Sequence, residues 1–529
     1  MKKFILTLLI PLTISTILLA QEKPLFLNVE WTDKKTPGQK GKRIKDCVYL
    51  TGDDNVIFYL YQTGIPPERQ NTGDYIVKHN LKDGKMEYFK IELNNIKKVD
   101  RNYEGAKVIN GDIYLFSSFK NKKDKKYYFF AETVKKEPFS LNRDERMIGE
   151  IDYSKIKGGK LSNMSFVTSP DESKILISYS LLNKKNEILS FGLEVFDNKL
   201  TSIWKRANDF PTLTKDEKVY LGQYVVDNNA NAYLTSHVYK KKGKDKKLFL
   251  THYPGDGSDA GIKEITFSGQ NYALSQHLGI NNNNDLICAG FFSRIGNKSA
   301  IGSFSIILPS GSIKDFRMNE KLFDNNYLTK GMNEKEAEKT LEKKDKNKDF
   351  DDGYYYKFED IHFKNDGGFY ISAEKRAITL IEKRQQGVVF KYNIYHYSDI
   401  SLLNFDKNGN LLWAYKIPKN QNLQNEDRNR ASYALGFDQN DAAYIIYNTV
   451  KMFLGKAKSG SIQTILIKLG NDGTESWNEL FTDNNDVTKS FSPRNTRSLG
   501  DGKFLLNRTH YGGFMSGPSI QWGIVNLQK

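Results

Sequence analysis

Residues 434–447 read ALGFDQNDAAYIIY, two runs of apolar, aromatic and β-branched residues joined by Asp-Gln-Asn-Asp. Tyr and Ile suit a pleated surface, and Asp and Asn tolerate the left-handed backbone that a tight turn needs, so the stretch reads as a hairpin. The phrase returns as DIHFKNDGGFYIS (360–372), YVVDNNANAYLTS (224–236) and FVTSPDESKILIS (166–178). Weaker copies start near Cys47, Gly105, His277 and Thr496. A phrase repeated throughout a chain points to a repeat architecture.

Each repeat carries two further strands. In the seventh the four are ASYALGF (431–437), AAYIIYN (442–448), QTILIKL (463–469) and ESWNELF (475–481), the last two meeting at LGNDG. Repeats start about 64 residues apart, long for a propeller blade but consistent with insertions. The reading is an all-β fold: an eight-bladed β-propeller of four-stranded antiparallel blades, with seven blades as the alternative. The eighth repeat has three strands before Lys529, and Leu25–Thr32 (LFLNVEWT) supplies the fourth, closing the ring and removing two exposed edges. Trp31, Trp204, Trp413 and Trp477 then share one position, the outer strand. Residues 322–356 break the strand pattern and predict a charged, partly helical surface insertion.

Asp406-Lys-Asn-Gly409-Asn-Leu-Leu-Trp413 and Gly470-Asn-Asp-Gly473-Thr-Glu-Ser-Trp477 resemble the repeat of bacterial quinoprotein-type β-propellers, whose Gly and outer-strand Trp dock adjacent blades. The chain also resembles exported propellers of Gram-negative bacteria. The resemblance implies the fold. With neither a vicinal Cys pair nor a clear calcium motif beside it, it does not imply dehydrogenase activity, and no cofactor or metal is expected.

Lys2 and Lys3 precede an apolar run, Phe4–Leu19, and then Ala20, the pattern of a signal peptide spanning 1–20. Residues 21–529 are then a single exported propeller domain, periplasmic or extracellular and cell-surface, monomeric and without a membrane span. Removing the two lysines takes the formal charge from +16 to +14. Cys47 and Cys288 fall in repeats one and five, across the ring from each other. A disulfide needs Cα atoms within about 7 Å, so two free thiols are expected.

The alternation of turns predicts two unlike faces. First-to-second and third-to-fourth turns share one face and are rich in Asp, Asn and Gly. Second-to-third loops share the other with the inter-blade connections, and they are basic: KNKKDKK (120–126), KKKGKDKK (240–247) and the lysines of 451–458. Lys123, Lys241, Lys244, Arg384, Tyr395 and Lys456 are the candidate contacts there, for a cell-envelope protein, an acidic protein, a glycan or another polyanion. The same lysines also serve plain solubility. Nucleic acid fits poorly, because few stacking aromatics interleave with the charges.

Aligning the first strands on their turns puts Val48, Glu104, Ser165, Gln223, His277, Asp360, Ala434 and Asn495 at one level of the central channel. Glu104, Gln223, His277 and Asp360 are the candidate binding groups, and the ionisable ones are capable of acid/base work. They serve equally well to hold channel water. The seven His residues form no HExxH or HxH spacing, and no GxSxG elbow occurs. The expected function is therefore an exported, non-enzymatic binding or scaffold propeller docking its partner on the basic face. The alternative is a secreted or periplasmic hydrolase or lyase acting on glycans or peptides through channel carboxylates.

Overall fold

The computed structural model describes residue 29 and residues 31–33, 43–65, 70–95, 100–154, 160–162, 164–184, 188–209, 217–240, 246–294, 299–345, 354–385, 388–424, 430–453, 456–481, 491–510 and 519–528. The expected signal peptide and both Lys241 and Lys244 lie outside these residues.

Among the described residues, eight antiparallel sheets follow one another along the chain. The seventh shows the common plan, with strands Tyr433–Phe437, Ala443–Phe453, Lys456–Leu469 and Glu475–Phe481 paired in sequence order. The hydrophobic clusters join consecutive sheets in a cycle. Phe58 meets Ile113 between the first and second sheets, and Phe116 meets Ile175 between the second and third. Corresponding clusters join each pair up to the eighth. One more joins the eighth back to the first, where Leu505 and Trp522 pack with Tyr59. First strands of neighbouring sheets also approach one another, which places them innermost. The architecture is a β-propeller.

Because each sheet is covered on both sides, its middle strands read as unbroken apolar runs instead of alternating. Every residue of Gly302–Leu308 is buried, as are Leu286–Ser293 beside it. The three strands of the last sheet gain a fourth element from the N-terminal segment. Trp31 bridges Gly523, Thr32 N–H donates to Trp522 O (2.9 Å) and Trp522 N–H donates to Thr32 Oγ1 (3.1 Å). Cys47 and Cys288 are buried in the first and fifth sheets, and no disulfide joins them.

The turns share a chemical device. At Asp197, Asp227, Asn281, Lys364, Asp406, Asp438 and Gly470, the N–H of residue i donates to the carbonyl of i+4, and the N–H of i+3 donates back to the carbonyl of i. Residue i+3 is left-handed in all seven: Leu200, Ala230, Asn284, Gly367, Gly409, Asp441 and Gly473. At the five Asx positions, Oδ1 also accepts the N–H groups of i+2 and i+4. Much of the acidity of this face is thus turn chemistry, with carboxylates occupied by backbone.

Two outer-strand tryptophans dock onto the following sheet. Trp204 Nε1 donates to Ala230 O (2.9 Å), and Trp413 Nε1 donates to Asn471 O (2.9 Å) with Gly473 over its ring. Trp477 is 45% exposed and does not repeat this burial.

The insertion forms two helices, α1 (Asn325–Thr329) and α2 (Glu334–Asp345). Asp324 caps α1 by accepting Tyr327 N–H. A reciprocal box starts α2: Asn333 Oδ1 accepts Glu336 N–H while Glu336 Oε2 accepts Asn333 N–H. Tyr327 and Leu328 fasten the insertion to the cluster between the fifth and sixth sheets.

Candidate functional site

Regular strands point side chains alternately to either side, and a local irregularity re-aims a side chain. Three candidates sit at such points in first strands. Glu104 falls at the register shift between Tyr103 and Gly105, and Gln223 at the one between Leu221 and Tyr224. Asp360 lies in the gap between Tyr355–Phe358 and His362–Phe363, two short pieces pairing with the same second strand.

Gln223, His277 and Asp360, from the fourth, fifth and sixth sheets, come together. Gln223 Oε1 accepts Leu278 N–H (2.6 Å), and its Nε2 donates to Leu278 O (3.1 Å), tying one inner strand to the next. The same Nε2 lies 3.4 Å from His277 Nε2. His277 Nε2 is in turn 3.5 Å from Asp360 Oδ1, and Phe358 stacks beside the imidazole. The Asp360 side chain is fully accessible to water yet stands against the channel wall. The His277 contact holds its carboxyl below the usual carboxylate value, and the charges of Lys357 and Lys107 add to this.

Above these groups opens a cavity of about 710 Å³ at the turn-face end of the channel. Its wall includes Lys107, Ser165, Thr168, Gln223, Tyr224 and Asp360. Lys107 is not among the sequence candidates, and its signal in the sequence is a lone cation among Gly105, Ala106, Val108 and Ile109. Glu104 faces elsewhere: Ser118 Oγ donates to its Oε1 (2.5 Å), and burial pushes its carboxyl above the usual range although Ser118 and Met164 N–H oppose this. Ala434 and Asn495, expected at the same level, are buried instead, Ala434 in the cluster between the seventh and eighth sheets. Val48 packs against the cluster between the first and second.

The basic-face candidates are dispersed. Lys123 is exposed in the middle hairpin of the second sheet, where its N–H donates to Asn121 Oδ1. Arg384 and Tyr395 lie on a long arm of the sixth sheet, strands Phe369–Gln385 and Val388–Phe405. Arg384 pairs with Val389, and Tyr395 pairs with Ile378. Six residues of strand, roughly 20 Å, therefore separate them. Lys456 lies in the third strand of the seventh sheet, and its side chain is outside the described residues. Among the described residues, no cluster of His, Cys, Asp and Glu is arranged to hold a metal ion. No helix among them is long and apolar enough to cross a membrane.

No protein-family model and no curated protein matches the chain. Several solved structures are similar at low scores. The β-propeller domain of the trilobed protease from Pyrococcus furiosus has a TM-score of 0.33 and 11% identity over 85% of this chain and 98% of that one. The polysaccharide lyase Uly1 has 0.37 and 11% over 92% and 90%. The GH93 α-L-arabinofuranosidase of Fusarium graminearum has 0.35 and 8% over 94% and 98%. These neighbours include a lyase and hydrolases acting on glycans and peptides. At such scores the assignment of this chain as a propeller rests on its own sheets and clusters.

Proposed function

We propose that the protein is an exported binding propeller that holds a polar chain, a glycan or a peptide segment, at the turn-face mouth of its channel. The observation that supports this reading is the convergence of Gln223, His277 and Asp360 from three sheets beneath a cavity of about 710 Å³. An anionic acceptor, a donor from Lys107 and polar Ser and Thr groups on one concave wall suit hydroxyl and amide partners. Screening the purified protein against glycan and peptide arrays, followed by calorimetric titration of the hits, tests it. Asp360→Asn removes one charge-assisted contact and is expected to weaken binding about 10- to 100-fold. Hits whose affinity is unchanged in Asp360→Asn, or arrays without hits, overturn the reading.

A second reading, a hydrolase or lyase, is favoured by one observation: Asp360 Oδ1 stands 3.5 Å from His277 Nε2 at the cavity wall, a pair capable of acid/base work. In that case Asp360→Asn abolishes product formation from a bound glycan or peptide while binding persists. Binding without product in the unmodified protein excludes it.

A further inference from the structure

On the opposite face from the channel mouth, the insertion roofs a second cavity. It lies between α1, α2 and the ends of the fifth and sixth sheets, and measures about 90 Å³. Nothing in the propeller repeat requires this roof, since among the described residues no other connection between sheets holds an α-helix. Its wall has two chemistries. Ile301, Leu322, Leu328, Met332, Tyr327 and Tyr356 make an apolar side. Around them stand five cations, Arg294, Lys343, Lys344, Lys375 and Lys416, with Asp399 as the one carboxylate of the lining.

Lys416 anchors the polar side. Its residue is only 7% exposed, and its ammonium donates to Leu328 O (2.8 Å) at the end of α1. It also lies over the Tyr327 ring, whose hydroxyl is 2.7 Å from Ser401 Oγ. Burial pushes Lys416 down to about 8, with Asp399 opposing and Lys375 and Lys330 reinforcing the shift. A buried cation among other cations is stabilised by an arriving anion, while apolar walls favour an organic tail over bulk water.

We infer that this cavity is a binding site for a small organic carboxylate, its anionic end at Lys416 and its short apolar tail against Leu328, Met332 and Tyr356. The small volume favours a short aliphatic acid. Helix α1 bears both the Lys416 acceptor, Leu328 O, and two residues of the apolar wall, Tyr327 and Leu328, so occupancy ties the insertion to the propeller.

Isothermal titration of the purified chain with sodium butyrate is the test, with butyramide as the uncharged match. The expected result is one site, at least tenfold selectivity for butyrate over butyramide, and loss of at least tenfold in affinity in Lys416→Met. Met332→Trp, which plugs the cavity from the loop between the helices, is expected to abolish binding while leaving the melting temperature unchanged. That second variant covers the case in which Lys416→Met fails to fold. Proton uptake on binding near pH 8, read from buffers of different ionisation enthalpy, is the further signature of Lys416, with Asp399, Lys375, Lys330 and Tyr327 as its charged and titratable neighbours. No binding at millimolar butyrate, equal affinity for butyramide, or undiminished binding in Met332→Trp overturns the inference.

Discussion

The turn device can be tested by cutting the same bonds in two settings. Asp438 is 7% exposed, and its Oδ1 accepts Asn440 N–H (2.9 Å) and Ala442 N–H (3.0 Å) while Oδ2 accepts the Tyr444 hydroxyl (3.1 Å). Asp406 makes the matching bonds to Asn408 and Asn410 N–H (both 2.8 Å) and to Asn410 Nδ2, but Asn408 and Asn410 are exposed. In Asp438→Ala the Ala442 N–H is left buried without its acceptor, at about 2 kcal/mol, and the lost Tyr444 bond adds about 1 kcal/mol. In Asp406→Ala water replaces the carboxylate, and the cost is about 1 kcal/mol. At roughly 2.1 cal/mol/K per residue, a cooperative unit of about 500 residues loses about 3 °C and 1 °C respectively. A unit of two sheets, about 130 residues, loses about 11 °C and 4 °C. Differential scanning calorimetry of both variants reads the ratio, and the absolute shift reports the size of the unfolding unit. Equal shifts for the two variants would refute the argument that burial decides the strength of the device.

Three further outcomes are expected. Deleting residues up to 32 removes the Thr32 bonds to Trp522 and the bridge at Gly523, exposing the edge of the last sheet; size-exclusion chromatography should show self-association, and a monomeric, equally stable product counts against the closure. Gly409→Ala combines a φ of +83° with a Cβ 2.5 Å from Ser305 Oγ, whereas Gly111→Ala at φ +77° meets nothing within 4 Å. Backbone strain of about 1–2 kcal/mol is common to both, so urea denaturation should show the larger loss at Gly409. Finally, Asp53 is held below its ordinary 3.8 by Val56 and Asn55 N–H, and Asp472 by Thr474. A lowered folded value contributes stability above the unfolded pKa that is lost as pH falls through the folded one, so the melting temperature should drop below about pH 4. A flat profile down to pH 2 would contradict this.

Some features were legible because they are local. The hairpin phrase carries both its strands and the left-handed residue of its turn, so the repeat could be read at Asp227, Asp406, Asp438 and Gly470 before any packing was known. Trp204 and Trp413 were legible for the same reason, since one position recurs in each repeat. The candidate site was only half legible. Strand alignment found Gln223, His277 and Asp360, but the register shifts that turn Glu104 toward Ser118, and the burial of Ala434 and Asn495, arise from pairing between strands distant in sequence.

By itself, the sequence determined the strand phrase, the turn chemistry and the insertion, because each depends on neighbours a few residues apart. The tertiary structure alone decided that Gln223, His277 and Asp360 meet, that Lys107 shares their cavity, and that helix α1 roofs a cationic pocket over Lys416. Those facts depend on how neighbouring sheets pack and where bulges fall, and side-chain contacts across sheets leave no periodic mark in the chain.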